Sequence, residues 1–551
     1  MDVIRNQISS QCLQKSAGPQ GIYTLTVPTG GGKTYASIRY ALHHVKKHKL
    51  DHIYYIIPYT SVIEQNAQVI RNVIEKDGDV FPWVLEHHSN LEPEKQTWRV
   101  KLSSENWDAP IIFTTMVQFL ETLFGGGTRG VRRLHNLSRS VIIFDEIQSL
   151  PVKCVHLLCN GLNFLVKHAG STAILCTATQ PLLNTVNPEY GNLEIPEGNE
   201  LVEDVSVLFE DLKRVEICPA LRNEGWREDE IADLALNQLK TKGNCLVVVN
   251  TKAWAQKLFT KCRSRLNADD IIYHLSTSLC PAHRKAILDK VNKRLDDSLP
   301  VLCISTQLIE AGVDVDFNSV IRFLAGLDSI AQAAGRCNRN GKHETSQVFV
   351  VNPIDESINK LDDIKIGRDK ANRVFSEKEH QDFLGPQAIA RYFSYYFYER
   401  AEIMKYPLSE YQAGRKDTLL NLLTDNPCNI GREKDQSKAM FRLQQSFKTA
   451  GQAFAAIEAP TRPVIVPYDK GKDIIARLCA DFAPSKAFDL LKQAQKYSVN
   501  LFPNIWEKLV NDNAVHAVQD GEEIYYLDER YYNDHFGVST EVVTEMVTPI
   551  I

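Results

Sequence analysis

One stretch near the start of the chain limits its fold more than any other: Ile22-Tyr23-Thr24-Leu25-Thr26-Val27, then Pro28-Thr29-Gly30-Gly31-Gly32-Lys33-Thr34, then Tyr35-Ala36-Ser37-Ile38-Arg39-Tyr40-Ala41-Leu42. The first run is apolar and predicts a buried strand, and the last has the spacing of a helix. Between them, glycines without a Cβ let successive backbone N–H groups converge on an anion, and the helix start adds a fixed partial positive charge. This is the pattern of a phosphate cradle. Thr29, Gly30, Gly31 and Gly32 form its wall, Lys33 reaches the outer phosphates of a nucleotide, and the Thr34 hydroxyl is a ligand for Mg²⁺. The general form of the pattern has a glycine where Val27 stands.

A chain of 551 residues, 44% hydrophobic and 24% charged, has the composition of a globular protein of several domains. Its net charge of -5 gives no bulk attraction to nucleic acid, so any such surface must be a local basic track. The 12 cysteines include no C-x-x-C pair, and no signal peptide or apolar run of about 18 residues is present. These features predict a reduced, cytoplasmic protein with no membrane partner. Cys154 and Cys159, on a predicted helix, read as ordinary buried thiols.

Beyond the cradle, Ile53–Ile57 predicts a second buried strand ending in Pro58-Tyr59-Thr60-Ser61, and Ile111-Ile112-Phe113 a third ending in Thr114-Thr115-Met116-Val117-Gln118. Ligands of open α/β sheets collect at the carboxyl ends of strands. Thr60, Ser61, Thr114, Thr115 and Gln118 are therefore candidates for contacts to a nucleic-acid backbone, with helix capping as the alternative use of the hydroxyls. Phe124-Gly125-Gly126-Gly127-Thr128-Arg129-Gly130 reads as a mobile surface loop. The apolar run Val141–Phe144 delivers Asp145-Glu146-Ile147-Gln148, in which Asp145 suits the Mg²⁺ shell and Glu146 suits proton acceptance from an attacking water. Ala173–Cys176 ends in Thr177-Ala178-Thr179-Gln180, hydroxyls suited to coupling the nucleotide site to a second domain.

The strand-then-helix rhythm restarts after a loop-rich, acidic stretch, which places a boundary near residue 208. Leu246–Val249 ends in Asn250-Thr251-Lys252, Tyr273–Leu275 ends in Ser276-Thr277-Ser278 with Arg284 on the next helix, and Val301–Ile304 ends in Ser305-Thr306. Thr251, Lys252, Ser276, Arg284 and Thr306 are further backbone-contact candidates. Gly312 permits close approach of a nucleotide, and Asp314 can accept from a ribose hydroxyl. The run Asp328–Arg339 predicts a helix carrying Gln332, Arg336 and Arg339 at i, i+4 and i+7, all on one side. Guanidiniums suit the spread charge of a phosphoryl transition state. An arginine supplied from a second domain adds about 10³ to 10⁵ in rate and makes hydrolysis depend on closure.

In order and spacing, VPTGGGKT, PYTSVIEQ, TTMVQF, DEIQ, TATQ, HLSTSLCPAHR, STQLIEAGVDVDF and QAAGRCNRNG resemble the superfamily 2 helicases, and most of all the CRISPR-associated helicase-nucleases of type I systems. The resemblance, strong over roughly residues 1–350, includes Val27 in place of glycine. It implies an α/β fold of two tandem RecA-like domains with parallel sheets, 1–208 binding ATP and 209–355 completing the motor. A linker over 356–385 and a C-terminal mixed α/β accessory domain over 386–551 then follow. It also implies ATP and Mg²⁺ as cofactors and Lys33, Asp145, Glu146, Gln332, Arg336 and Arg339 as the catalytic set, with Gln7 reading the adenine edge. The implied function is 3′-to-5′ translocation on single-stranded DNA in antiviral defence, with the Cascade surveillance complex as partner. An RNA helicase or a restriction-type DNA translocase on the same engine is the alternative. Fused members of the family carry an HD nuclease; no His-Asp dipeptide occurs here, so the expected nuclease is a separate or removed polypeptide. Within 386–551, the aromatic run Arg391–Tyr398 reads as core packing, and 464–468, 497–501 and 523–527 read as strands.

Overall fold

Five apolar runs in the first 180 residues, and the half-polar Val84–His87 that the sequence reading did not include, become the strands β1 (Ile22–Thr26), β2 (His52–Ile57), β3 (Val84–His87), β4 (Ile111–Thr115), β5 (Ser140–Asp145) and β6 (Thr172–Thr177). In the computed structural model, which describes residues 2–58, 60–76, 82–87, 105–266, 270–310, 312–359, 361–377, 382–426, 445–457, 461–480, 484–519 and 521–542, they form one parallel sheet in the order β1-β6-β5-β2-β4-β3. Side chains alternate between its faces. Tyr54, Ile112, Ile142 and Phe144 enter one apolar layer, and Tyr55, Phe113, Val141 and Ile143 enter the other. Both faces are covered, which is why five of these strands read as unbroken apolar runs. Each such large side chain taken out of water contributes roughly 1.5–3 kcal/mol. The covering helices include α1 (Asp2–Lys15), α2 (Lys33–His48), α3 (Thr60–Ile74), α4 (Met116–Phe124), α5 (Thr128–Leu134), α6 (Val155–Lys167) and α7 (Val205–Asp211).

The second set of strands, β7 (Val215–Pro219), β8 (Asn244–Val249), β9 (Ile272–Leu275), β10 (Val301–Thr306), β11 (Val320–Phe323) and β12 (Ser346–Val351), forms another six-stranded parallel sheet in the order β7-β12-β11-β8-β10-β9. Numbered within each sheet, the two orders are the same. Its helices include α8 (Glu228–Lys242), α9 (Lys252–Arg265), α10 (Pro281–Asp296) and α11 (Leu327–Ala334). These are the two RecA-like α/β sheets that the sequence predicts.

The chain divides into two compact units, and the division differs from the sequence expectation in the C-terminal third. Of the described residues, the first unit holds those up to 213 and those of 377–457; the second holds those of 214–376 and 461–542. Packing explains the split of the expected accessory domain. Met404, Tyr406, Leu420 and Phe454 join the same apolar layer as Phe119 and Leu158 of the first unit. The glycine loop read as mobile is one of the docking points: Gly126 N donates to Gly451 O at 2.8 Å, and a Cβ on Gly126 would meet that oxygen at 3.0 Å. Two glycines let the backbones touch. The expected linker contains a helix, Asp362–Ser376, with Gly367, Ala371 and Val374 buried. In the helix Pro386–Glu399, Tyr392 and Phe393 are buried, as core packing requires. Ser498–Leu501, Arg462–Ile465, Tyr525–Leu527 and Val515–Ala517 form, in that order, a four-stranded sheet of the second unit. Among the described residues, no helix is long and apolar enough to cross a membrane.

Candidate nucleotide site and arginine turn

The cradle forms where β1 runs into α2. Gly30 and Gly32 hold left-handed backbone conformations, φ 83° and 87°, which a side chain would strain. Gly31 is glycine for a different reason, since a Cβ there would lie 2.4 Å from Val27 Cγ1. The valine that replaces the usual first glycine thus fills the floor of the loop and makes Gly31 obligatory. α2 carries no acidic residue in its first turn, so its N-terminal partial charge is left for an anion. From behind, Tyr55 Oη and Ser37 Oγ both donate to the Thr34 carbonyl, at 3.1 and 3.2 Å.

α1 covers the front of the loop with a residue other than the one expected. Gln7 is exposed on that helix. Arg5 instead donates from Nε to Gly30 O at 3.0 Å, and its stem lies where a Cβ on Gly32 would meet Cγ at 3.4 Å. Two positions along a helix turn a side chain by about 200°, so Arg5 at the cradle points Gln7 away.

Facing the cradle are the acids at the end of β5. Lys33 Nζ pairs with Glu146 Oε1 at 3.2 Å. Burial works to lower the Lys33 pKa, but the carboxylates of Glu146 and Asp145 outweigh it and hold the ammonium above its ordinary value. Burial, and then the charge of Glu146, push the Asp145 carboxyl up to about 6. A neighbouring cation would relieve that cost. Glu146 has a left-handed backbone, φ 53°, unusual for a residue with a side chain. Its other oxygen accepts from Gln148 Nε2 at 2.5 Å; Gln148 Oε1 accepts from Thr177 Oγ1 at 2.6 Å; and Thr177 Oγ1 accepts from Thr179 N at 2.9 Å. Cradle, acid pair and β6 terminus are therefore one hydrogen-bonded line. Gln148 was not among the expected site residues, although its place three after Asp145 in DEIQ was the available signal.

Thr34 and Asp145 are hard oxygen donors, and two protein ligands suit a Mg²⁺ ion that takes its remaining ligands from phosphate and water. Among the described residues, no group of three or more His, Cys, Asp or Glu is placed to hold a metal by itself. Cys154 and Cys159 are both buried, and burial pushes each thiol up to about 12.

In the second unit the arginines do not share a helix face. α11 ends at Ala334, and the backbone then turns: Phe317 N donates to Arg336 O at 2.9 Å and Asn338 N to Phe317 O at 2.8 Å, bridging Phe317 and Cys337. Gln332 stays on α11, part-buried. Arg336 turns inward at 7% exposure and donates to Ile309 O (3.1 Å) and Glu310 O (2.6 Å). Arg339 pairs through Nε with Asp314 Oδ1 at 2.9 Å, so the residues expected at phosphate and ribose meet each other. Gly312 has φ 72°, a conformation reserved for glycine in practice.

The backbone-contact candidates separate into two groups. Thr114 is fully buried, with its hydroxyl on His87 O, and cannot reach a nucleic acid; Thr115 Oγ1 caps α4 by accepting from Gln118 N at 3.1 Å. Thr251 caps α9 in the same way, and Ser276 is buried with its hydroxyl accepting from Ser278 N. Gln118 Oε1 accepts from Arg133 at 3.1 Å. Thr306 is part-buried at the end of β10. The side chains of Thr60 and Ser61 lie outside the described residues. Lys252 and Arg284 behave differently. Burial, then the charge of Arg284, lowers the Lys252 pKa, and burial lowers that of Arg284; among the described residues neither has a carboxylate partner. Two adjacent, desolvated cations at the carboxyl ends of β8 and β9 leave an anion-shaped requirement.

Comparison with known proteins matches a DEAD/DEAH box helicase family model to residues 7–186, and a model of the C-terminal region of the CRISPR-associated nuclease/helicase Cas3 to residues 241–342. Residues 7–186 thus carry a DEAD/DEAH box helicase region, the nucleotide-site half of a superfamily 2 motor. The second matched region is Cas3-like. The CRISPR-associated nuclease/helicase Cas3 of Haloferax volcanii is 25% identical over 419 residues, covering 58% of this chain and 45% of that protein. The chain spans less than half the length of the curated relatives it matches. Among solved structures, T. fusca Cas3 with AMPPNP superposes with a TM-score of 0.67 at 14% identity, over 95% of this chain and 68% of that one. A chain of a CRISPR RNA-guided surveillance complex before nicking superposes with a TM-score of 0.56 at 14% identity, over 93% and 65%. At these identities the likeness is one of fold, and it extends over nearly the whole chain.

Proposed function

We propose that this chain is a superfamily 2 helicase that hydrolyses ATP at the β1–α2 cradle to move along and unwind DNA in type I CRISPR interference. One observation carries the ATP reading: a single hydrogen-bonded line joins Lys33, Glu146, Gln148 and Thr177, so phosphate binding, water activation and the β6 terminus respond together. Lys33 moves from Glu146 to the phosphates when a nucleotide enters. That frees a Glu146 carboxylate, still fixed by Gln148, to orient a water and take its proton. Thr34 and Asp145 would hold Mg²⁺, which when bound neutralises charge on the phosphate oxygens. Arg336 and Arg339 are the candidates to stabilise the transition state.

Lys252 and Arg284 are the strongest candidates for the nucleic-acid backbone, because among the described residues neither has a carboxylate partner. Single-stranded DNA as substrate, 3′-to-5′ polarity, a Cascade-type surveillance complex as partner and an HD nuclease supplied elsewhere follow from likeness to Cas3 proteins, whose solved neighbours include one with AMPPNP and one in a surveillance complex. The test is phosphate release from ATP with defined DNA and RNA strands, followed by unwinding with overhangs of each polarity. DNA should stimulate hydrolysis well above RNA. Equal or greater stimulation by RNA would shift the reading to an RNA helicase, and no hydrolysis with either would end it.

A further inference from the structure

A buried cation in the second sheet has no place in the chemistry described so far. Arg322, on β11, has a side chain of 0% exposure. Its Nε pairs with Glu310 Oε1 at 2.8 Å; Nη1 donates to Asn250 Oδ1 (2.6 Å) and Phe323 O (2.9 Å); Nη2 donates to Ser329 Oγ (2.8 Å). Ser329, on α11, donates its own hydrogen bond to Glu310 Oε2 at 2.8 Å. Glu310, at 5% exposure, is therefore held at Oε2 by a hydrogen bond from the helix and at Oε1 by the charge of Arg322 on the strand, a contact too bent to be a hydrogen bond.

Such a pair is a poor way to stabilise a core, since desolvation of two charges offsets most of their attraction and apolar residues of the same volume serve as well. What it supplies is direction. Glu310 is also the residue whose backbone carbonyl receives Arg336 Nη2 at 2.6 Å, one residue after the carbonyl of Ile309 that receives Nε. The same glutamate is fixed by its side chain from the core and fixes the arginine by its main chain. Ser329 lies seven residues before Arg336 and stays within α11, which ends at Ala334. The network thus ties the segment before Arg336 and the segment that accepts it to one point.

We propose that Arg322 and Ser329 are positioning residues for hydrolysis: by locking the Glu310 side chain they set its carbonyl, and through it the guanidinium of Arg336. This rests on the reading of Arg336 as a transition-state residue. Loss of the lock leaves nucleotide binding at the first unit untouched and displaces Arg336 from its working orientation, so it lowers kcat and leaves KM for ATP unchanged.

The experiment compares DNA-stimulated kcat, KM for ATP and thermal unfolding in the full chain for Ser329→Ala, Arg322→Met, Arg336→Lys and the double variant Ser329→Ala/Arg336→Lys. Ser329→Ala keeps the charge pair and so folds even where Arg322→Met does not. Its kcat should fall by about tenfold with KM within about twofold, because an ångström of misplacement costs up to about 10² in rate. In the Arg336→Lys background it should cause no further loss. If Arg336→Lys is slow while Ser329→Ala and folded Arg322→Met turn over like the parent, the positioning role is wrong and the reading of Arg336 stands. Additive losses in the double variant also overturn it. If Arg336→Lys itself turns over like the parent, that reading fails and the proposal falls with it.

Discussion

The two sheets are wound in the same order, yet the turns that follow their first strands are opposites. In the first unit, β1 leads through three glycines into a helix with no acid in its first turn. In the second, β7 leads into α8, whose first turn holds Glu228, Asp229 and Glu230. The Glu230 carboxylate accepts from Arg227 N at 2.8 Å and from Arg222 at 2.7 Å, and Arg222 stacks 3.5 Å above the Trp226 ring. The partial positive charge of a helix start meets no acid of its own first turn in one copy, and three carboxylates of its own first turn in the other. Topology supplied the same place twice. Side chains decided that only one of them would attract a phosphate.

The comparison breaks most visibly in hydrolysis. Lys33→Ala and Glu146→Gln should each lower DNA-stimulated phosphate release by about 10³ or more, since each removes charge stabilisation or water activation from the same step. Glu230→Gln, at the matching turn of the second unit, should leave release within about twofold. Next in size is Gly31→Ala, whose new methyl collides with Val27 Cγ1; affinity for an ATP analogue should fall by about 100-fold. Adding Val27→Ala makes room and should recover part of that loss, whereas no recovery would mean the floor of the cradle is not what excludes a side chain.

Acid sharpens the contrast between the units more gently. Burial is the main cause that takes His44 of the first unit, and His274 and His283 of the second, from 6.5 down to about 4. Each ring is neutral when folded. The stability this gives is complete above pH 6.5 and is lost as pH falls through about 4, because the unfolded chain takes up the proton first. Unfolding temperatures followed from pH 7 to pH 4 should therefore drop below 6.5, and hydrogen exchange should quicken around these rings. A flat profile would contradict the burial of these rings. The smallest effect belongs to the caps: Thr115→Val and Thr251→Val should each cost about 1 kcal/mol of stability. Strand affinity should stay within about twofold, and a tenfold loss at unchanged stability would return these hydroxyls to the nucleic-acid surface.

The central strands and the cradle were legible because parallel strands buried on both faces leave apolar runs, and because glycines beside Lys33 and Thr34 have few other uses; β3, β7, β11 and β12, each interrupted by polar or charged residues, were not. The acid pair was legible for the same reason, at the end of the apolar run Val141–Phe144. What escaped the sequence depended on contacts between distant segments. Helical periodicity carries Arg336 and Arg339 onto one face, but pairing with Phe317 ends α11 at Ala334. Gly126 reads as a loop glycine until Gly451 is placed against it. Arg5 and Gln7 are equally plausible on a polar helix, and only the packing of α1 and α2 decides between them. Arg322 looks like one charge in an apolar strand; its side-chain partners Glu310, Asn250 and Ser329 come from three other segments.

Of all these, the number of nucleotides bound per chain tests the central claim most directly. Calorimetric titration of the full chain with a non-hydrolysable ATP analogue and Mg²⁺ should give one site, weakened at least about tenfold by Lys33→Ala. Two sites per chain, or one whose affinity ignores Lys33→Ala, would contradict it.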